Sequence, residues 1–141
     1  MKNEATPRPR TAHELKAEER RRYDELFAEC GVFWAFSAEQ FEKNKTPLSE
    51  GDKYVSIGAG GYMPKSRTAD LAAGMEQIRK DHNAAVKANR KLRREVIAYE
   101  LRNHEATYTG DISDTLDALG DGYSAKEVRK IYQELLNAEN A

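Results

Sequence analysis

The chain has 141 residues, 39% of them hydrophobic and 33% charged, with a formal net charge of −1 from 23 basic and 24 acidic side chains. That length fits one compact domain with a real core, and the near-neutral balance excludes both an acidic mimic of DNA and a strongly basic nucleic-acid coat protein. A single cysteine, Cys30, rules out an internal disulfide framework and a cysteine-built zinc site.

Residues 1–10, Met-Lys-Asn-Glu-Ala-Thr-Pro-Arg-Pro-Arg, lack the apolar stretch of a secretory signal and read as a disordered basic tail. No later run approaches the roughly 18–20 apolar residues of a membrane span. The expectation is a cytoplasmic protein with no membrane partner, residues 11–141 forming a single α+β domain. Thr11-Ala-His-Glu14 has the spacing of a capping box, in which a hydroxyl accepts from the first turn and a glutamate reaches back. The helix it opens carries Leu15, Tyr23, Leu26 and Phe27, and Cys30-Gly31 is a good stop. Val32-Phe-Trp-Ala-Phe36 is an aromatic run that reads as a buried strand. Ser37-Ala-Glu-Gln40 is a second capping box, opening a short helix with Phe41. A loop with Pro47 and Gly51 leads to a strand over Lys53 to Ile57, which pairs with the first as an antiparallel ribbon under covering helices.

From about Arg67 to His104 the pattern is helical. Leu71, Met75, Ile78, His82, Ala85, Asn89, Leu92, Val96 and Tyr99 recur at alternating spacings of four and three, a heptad-like stripe with a polar or small centre. It predicts either one long central helix or two helices joined near Asp81-His82-Asn83. The stripe also allows a homodimer, although a partner helix within the chain would explain it equally well. Thr109-Gly-Asp111 closes one element and caps the next, whose apolar residues are Ile112, Leu116 and Leu119. Gly120-Asp-Gly122 is a turn. Ser124-Ala-Lys-Glu127 is a third capping box, opening an amphipathic helix through Val128, Ile131, Leu135 and Leu136. The fold class is therefore α+β: a mostly helical domain with a small antiparallel β-ribbon, a long central helix and a C-terminal helical hairpin.

Three constellations bear on chemistry. Gly58, Gly60 and Gly61, followed by Tyr62 and Lys65, lie between a strand and a helix start, where backbone amides and a lysine can cradle an anion. Their spacing matches neither a P-loop nor a dinucleotide fingerprint, and a tight turn or bulge with Tyr62 and Met63 packing down is the favoured structural reading. Asn103-His-Glu105, with Tyr108 and Asp111, offers an imidazole and carboxylates for acid–base or metal chemistry. Adjacent His and Glu point apart on a helix, so His104 and Asp111 are better read as tying down a helix end and a cap. Finally, Arg79, Lys80, Lys87, Arg90, Lys91, Arg93 and Arg94 crowd one segment, opposed by Asp81 alone. These charges can pair internally as a solvated face, or Lys87, Arg90, Lys91 and Arg94 can meet an acidic partner or nucleic acid. Lys126, Arg129 and Lys130 would face phosphate if the last two helices formed a helix-turn-helix, although a plain hairpin is the commoner use of such spacing.

At Lys53-Tyr-Val-Ser-Ile-Gly-Ala-Gly-Gly-Tyr-Met-Pro-Lys65, Phe33-Trp-Ala-Phe-Ser37 and Asn103-His-Glu-Ala-Thr-Tyr-Thr-Gly-Asp111, the chain resembles a group of small uncharacterised proteins encoded by phages and mobile elements of gut bacteria. The resemblance spans about Tyr23 to Leu136. It implies an accessory protein that binds a host protein or ribonucleoprotein, such as a CRISPR-type defence nuclease complex, and inhibits it. The leading expectation is thus a non-enzymatic binding protein with no cofactor and no metal, whose contact residues are Gly58, Gly60, Gly61, Tyr62, Lys65, Lys87, Arg90, Lys91 and Arg94. A nucleotide- or phosphate-ligand binder using residues 58–65 is the alternative, and a metal-dependent hydrolase using His104, Glu105 and Asp111 is a third.

Overall fold

A computed structural model describes residues 9–140, so the expected tail over residues 1–10 lies almost wholly outside the described residues. The chain runs α1 (Ala12–Glu29), β1 (Phe33–Trp34), α2 (Ala38–Asn44), β2 (Tyr54–Gly58), β3 (Gly61–Pro64), a 3₁₀ turn (Lys65–Arg67), α3 (Thr68–Ala88), α4 (Arg90–Asn103), α5 (Ala106–Thr109), α6 (Ser113–Leu119) and α7 (Ala125–Glu139). The architecture is α+β, mostly helical with one small antiparallel sheet, as expected from the sequence. Two compact units are present, residues 17–81 and residues 82–141 together with the chain up to Lys16.

In the unit of residues 17–81, α1 ends because Gly31 takes φ +73°. Its amide donates to the Ala28 carbonyl (3.2 Å), and the Val32 amide donates to Phe27 (3.0 Å). This is a Schellman close that satisfies carbonyls the helix would leave orphaned. The sheet order is β1-β3-β2, both pairs antiparallel. That corrects the expected ribbon: β1 and β2 do not pair with each other, because Gly61–Pro64 forms a strand between them. Glycine and proline are depleted in strands, which hid this one. The run Val32–Phe36 is also not a buried strand, since burial alternates along it. Phe33 and Ala35 point in, while Trp34 and Phe36 point out. On one sheet face Phe33, Phe41, Tyr54 and Tyr62 form an aromatic cluster with centroids 5.1–5.8 Å apart, α2 supplying Phe41. On the other, Met63 joins Cys30 and Leu71 in a small core with Leu26, Phe27, Val32 and Val55 packed around it.

In the second unit the expected long helix is interrupted at Asn89. Its backbone turns extended (φ −140°), and its side chain accepts the Leu92 amide at 3.0 Å, so Asn89 caps a new helix. Asparagine competes for backbone donors in this way, and here it displaces the break from the 81–83 region. The break resets the helical register. Beyond it, Leu92 and Val96 of the stripe are buried, but so is Ile97 outside it, whereas Tyr99 is exposed. α4 packs against α5, α6 and α7 around Leu92, Val96, Ile97, Leu101, Leu119, Val128 and Ile131. Ala12 and Leu15 from the start of α1 enter the same core. The C-terminal hairpin is α6 and α7, with Ser124 accepting the Glu127 amide at 3.1 Å as its spacing predicts.

Candidate cationic binding surface

The glycine segment is a hairpin turn. Ala59 (φ +52°) and Gly60 (φ +82°) are its central residues, and positive φ at both is what a type I′ turn demands. Gly58 pairs with Gly61 across the turn, next to a register shift at Ser56–Gly58 that marks a bulge. A Cβ on Gly61 would meet Ile57 and Trp34 at 2.8 Å, and one on Gly60 would strike the Phe36 ring. Side chains therefore lie on Gly60 and Gly61 where an anion would have to approach, whereas a Cβ on Gly58 would meet nothing within 4 Å. Tyr62 is turned into the aromatic cluster. Lys65 stands beyond the far end of the four-residue β3, roughly 13 Å along the strand from Gly61 at about 3.3 Å per residue. The structure does not bring Lys65 to the glycines. Beside the hairpin, β1 and the residues just after it present Trp34, 44% exposed, and Phe36, 76% exposed.

His104 is the C-cap of α4, its Nε2 3.6 Å from Glu100 Oε2. Asp111 accepts the Ser113 amide at 2.8 Å at the start of α6, and that bond holds its carboxyl below the ordinary range. Asp111 thus contributes its side chain to the start of α6, whereas His104 closes α4 through its backbone amide, which donates to the Glu100 carbonyl at 3.0 Å. Glu105, between them, sits in the left-handed region (φ +53°) where the chain leaves α4. Among the described residues no three His, Cys, Asp or Glu side chains group as a metal site would require.

The basic segment is more informative. Lys87 lies in the last turn of α3, and Arg90 and Lys91 occupy the first turn of α4, which holds no acidic residue. All three are exposed, and among the described residues none has a carboxylate within ion-pair distance. Arg94 is also exposed but is paired with Glu134 of α7 at 2.8 Å. Arg93 is different in kind. Its guanidinium meets Glu127 through two bonds (2.5 and 2.8 Å), donates to the Gly122 carbonyl at 2.8 Å and lies over the Tyr123 ring at 4.4 Å. The bond to Glu127 raises the pKa of Arg93, and the same bond lowers that of Glu127. Tyr123 is in turn bonded to buried His82 (2.6 Å). A planar fork that satisfies a carboxylate, a carbonyl and a ring at once is a rigid clasp. It joins the first turn of α4 to the first turn of α7, so both helices begin at the same end of this unit.

That clasp brings a second set of cations into the picture. Lys126 precedes Glu127 on α7, and Lys130 lies one turn beyond it. Both are exposed, and among the described residues neither has an ion-pair partner. Lys126, Arg129 and Lys130 read from the sequence as part of a plain hairpin, and nothing in the spacing links residue 93 to residue 127. The exposed rings of Trp34 and Phe36 were missed because an aromatic run reads as core; Ser37, just after Phe36, is the one polar neighbour in the run.

These features define a small α+β protein with a cationic helical end and exposed aromatic rings beside its hairpin. The chain matches the family of unknown function DUF7659 over residues 15–138 and belongs to it. No curated protein and no solved structure matches the chain.

Proposed function

We propose that the protein works by binding a polyanionic macromolecule, with Lys87, Arg90 and Lys91 at the α3–α4 junction as the contact residues and no chemistry of its own. The observation that carries this reading is that three exposed cations, none with an ion-pair partner among the described residues, are gathered within five residues where α3 gives way to α4, in a first turn that holds no acidic residue. Like charges gathered on one surface raise the local potential and speed encounter with an acidic partner. Inhibition of a host defence nuclease complex of the CRISPR type is the form of this reading that the resemblance to phage and mobile-element proteins supports, because such complexes are ribonucleoproteins. The nucleotide-binding alternative draws no support from the hairpin geometry.

The test is affinity capture from cells that carry the gene, comparing wild type with Lys87→Glu/Arg90→Glu/Lys91→Glu and identifying partners by mass spectrometry. A partner retained by wild type and lost by the variant is the expected result. An identical captured set from both proteins would refute this assignment.

A further inference from the structure

We propose that the end of residues 82–141 where α4 and α7 begin takes the phosphodiester backbone of a nucleic acid, an inference that rests on the binding reading above and names its ligand. The clasp between Arg93 and Glu127 sets the first turns of the two helices side by side. Lys87 and Arg90–Lys91, at the end of α3 and the start of α4, and Lys126 and Lys130, at the start of α7, thereby stand at the same end of this unit. Glu127 and Glu134 are already neutralised by Arg93 and Arg94, and the acidic groups of the adjoining segment are Asp114 and Asp117 of α6 and Asp121 in the turn before α7.

One observation favours an external anion over internal pairing, and a second favours phosphate over an acidic protein surface. Arg90 and Lys91 sit in a first turn, and Lys126 does so on α7, where the helix macrodipole opposes positive charge. These positions work against the stability of the fold, so an external anion accounts for them better than internal pairing does. Protein interfaces are anchored by buried aromatic and apolar side chains at their centre. The large hydrophobic side chains exposed in this unit are Tyr99 and Tyr108, more than two turns along α4 and on α5, away from these cations. A cationic surface without such an anchor suits a backbone of regularly spaced charges, read without regard to base sequence.

Fluorescence anisotropy with a labelled 30-nucleotide RNA and a 30-base-pair DNA tests this, with polyglutamate as competitor. Five phosphate contacts on duplex give a log–log salt slope of about −4 to −5, so affinity should fall roughly 10²- to 10³-fold between 50 and 200 mM salt. Lys126→Glu/Lys130→Glu and Arg90→Glu/Lys91→Glu should each weaken binding at least tenfold, as should the corresponding glutamine variants to a smaller degree. Lys43→Glu/Lys53→Glu, on the other unit, should change nothing. Absence of saturable binding to either oligonucleotide, or an α7 variant with wild-type affinity, would overturn the proposal. So would competition by polyglutamate as effective as by unlabelled oligonucleotide, which would assign the surface to an acidic polypeptide. A captured partner that depends on Lys87, Arg90 and Lys91, without any oligonucleotide binding, overturns this inference while the binding reading stands.

Discussion

If Arg90 and Lys91 serve a partner rather than the fold, reversing their charge should make the protein more stable. The first turn of α4 carries two cations and no acid. A charge there is worth about 0.3–1 kcal/mol at low ionic strength, unfavourable for a cation and favourable for an anion. Arg90→Glu/Lys91→Glu changes the sign at both positions and also relieves repulsion with Lys87 and Arg94. Against that, a carboxylate in place of the Arg90 guanidinium would stand one turn from the Arg93–Glu127 pair and weaken it. The net expectation is about 1 kcal/mol of added stability, or roughly 4 °C in Tm for a chain of this size. Thermal melts at low and high salt measure it, and the gain should shrink as salt rises because exposed charges are screened. A variant less stable than wild type at low salt would refute the reasoning, since it would mean that these cations hold the fold together.

Four further outcomes follow from particular contacts. Glu100 is 4% exposed, with Lys16 Nζ at 2.7 Å and His104 at 3.6 Å. Lys16→Met strands that carboxylate and should cost about 2 kcal/mol in urea denaturation, while Lys16→Met/Glu100→Leu should recover most of the loss; a double variant as unstable as the single would contradict this. Gly74→Ala, which in an open helix gains about 1 kcal/mol, should instead destabilise, because the new Cβ falls on the Leu26 side chain. Ala59→Asn, creating Asn-Gly in a turn with positive φ at both centres, should raise Tm by roughly 2–4 °C, and a lower Tm would reject the turn assignment. Glu127, whose pKa is lowered in the folded state, stabilises the protein above the ordinary carboxylate range and loses that contribution as pH falls through its depressed value, Arg93 remaining charged throughout. The stability gap between wild type and Glu127→Gln should therefore be constant near neutrality and close in acid; a gap that persists at low pH would exclude the pair as its cause.

Much of the helical content could be read directly. Thr11, Ser37 and Ser124 each accept the amide three residues on, at 3.1 Å, as their capping spacing predicts. Capping is a local interaction between near neighbours, so a linear sequence contains all of it. The sheet was less legible because pairing is nonlocal. Gly61–Pro64 is a strand by virtue of two partners, one of them nearly thirty residues away. Asn89 could have been recognised as a helix start from the preference of asparagine for the N-cap, but the heptad stripe ran across it and masked the break. The candidate surface was half legible. Lys87, Arg90 and Lys91 stood out as a basic run. Their union with Lys126 and Lys130 depends on Arg93 finding Glu127, 34 residues on. Arg93 looked like one more member of that run, yet it is the one most fully engaged in holding the unit together.

The decisive property is whether the cationic end of residues 82–141 meets a polyanion. Lysine acetylation footprinting by mass spectrometry, with and without the 30-nucleotide RNA, tests it most directly. Protection of Lys87, Lys91, Lys126 and Lys130, with Lys43, Lys53 and Lys65 reacting as before, is the predicted result. Unchanged reactivity of those four lysines in the presence of bound RNA would contradict it.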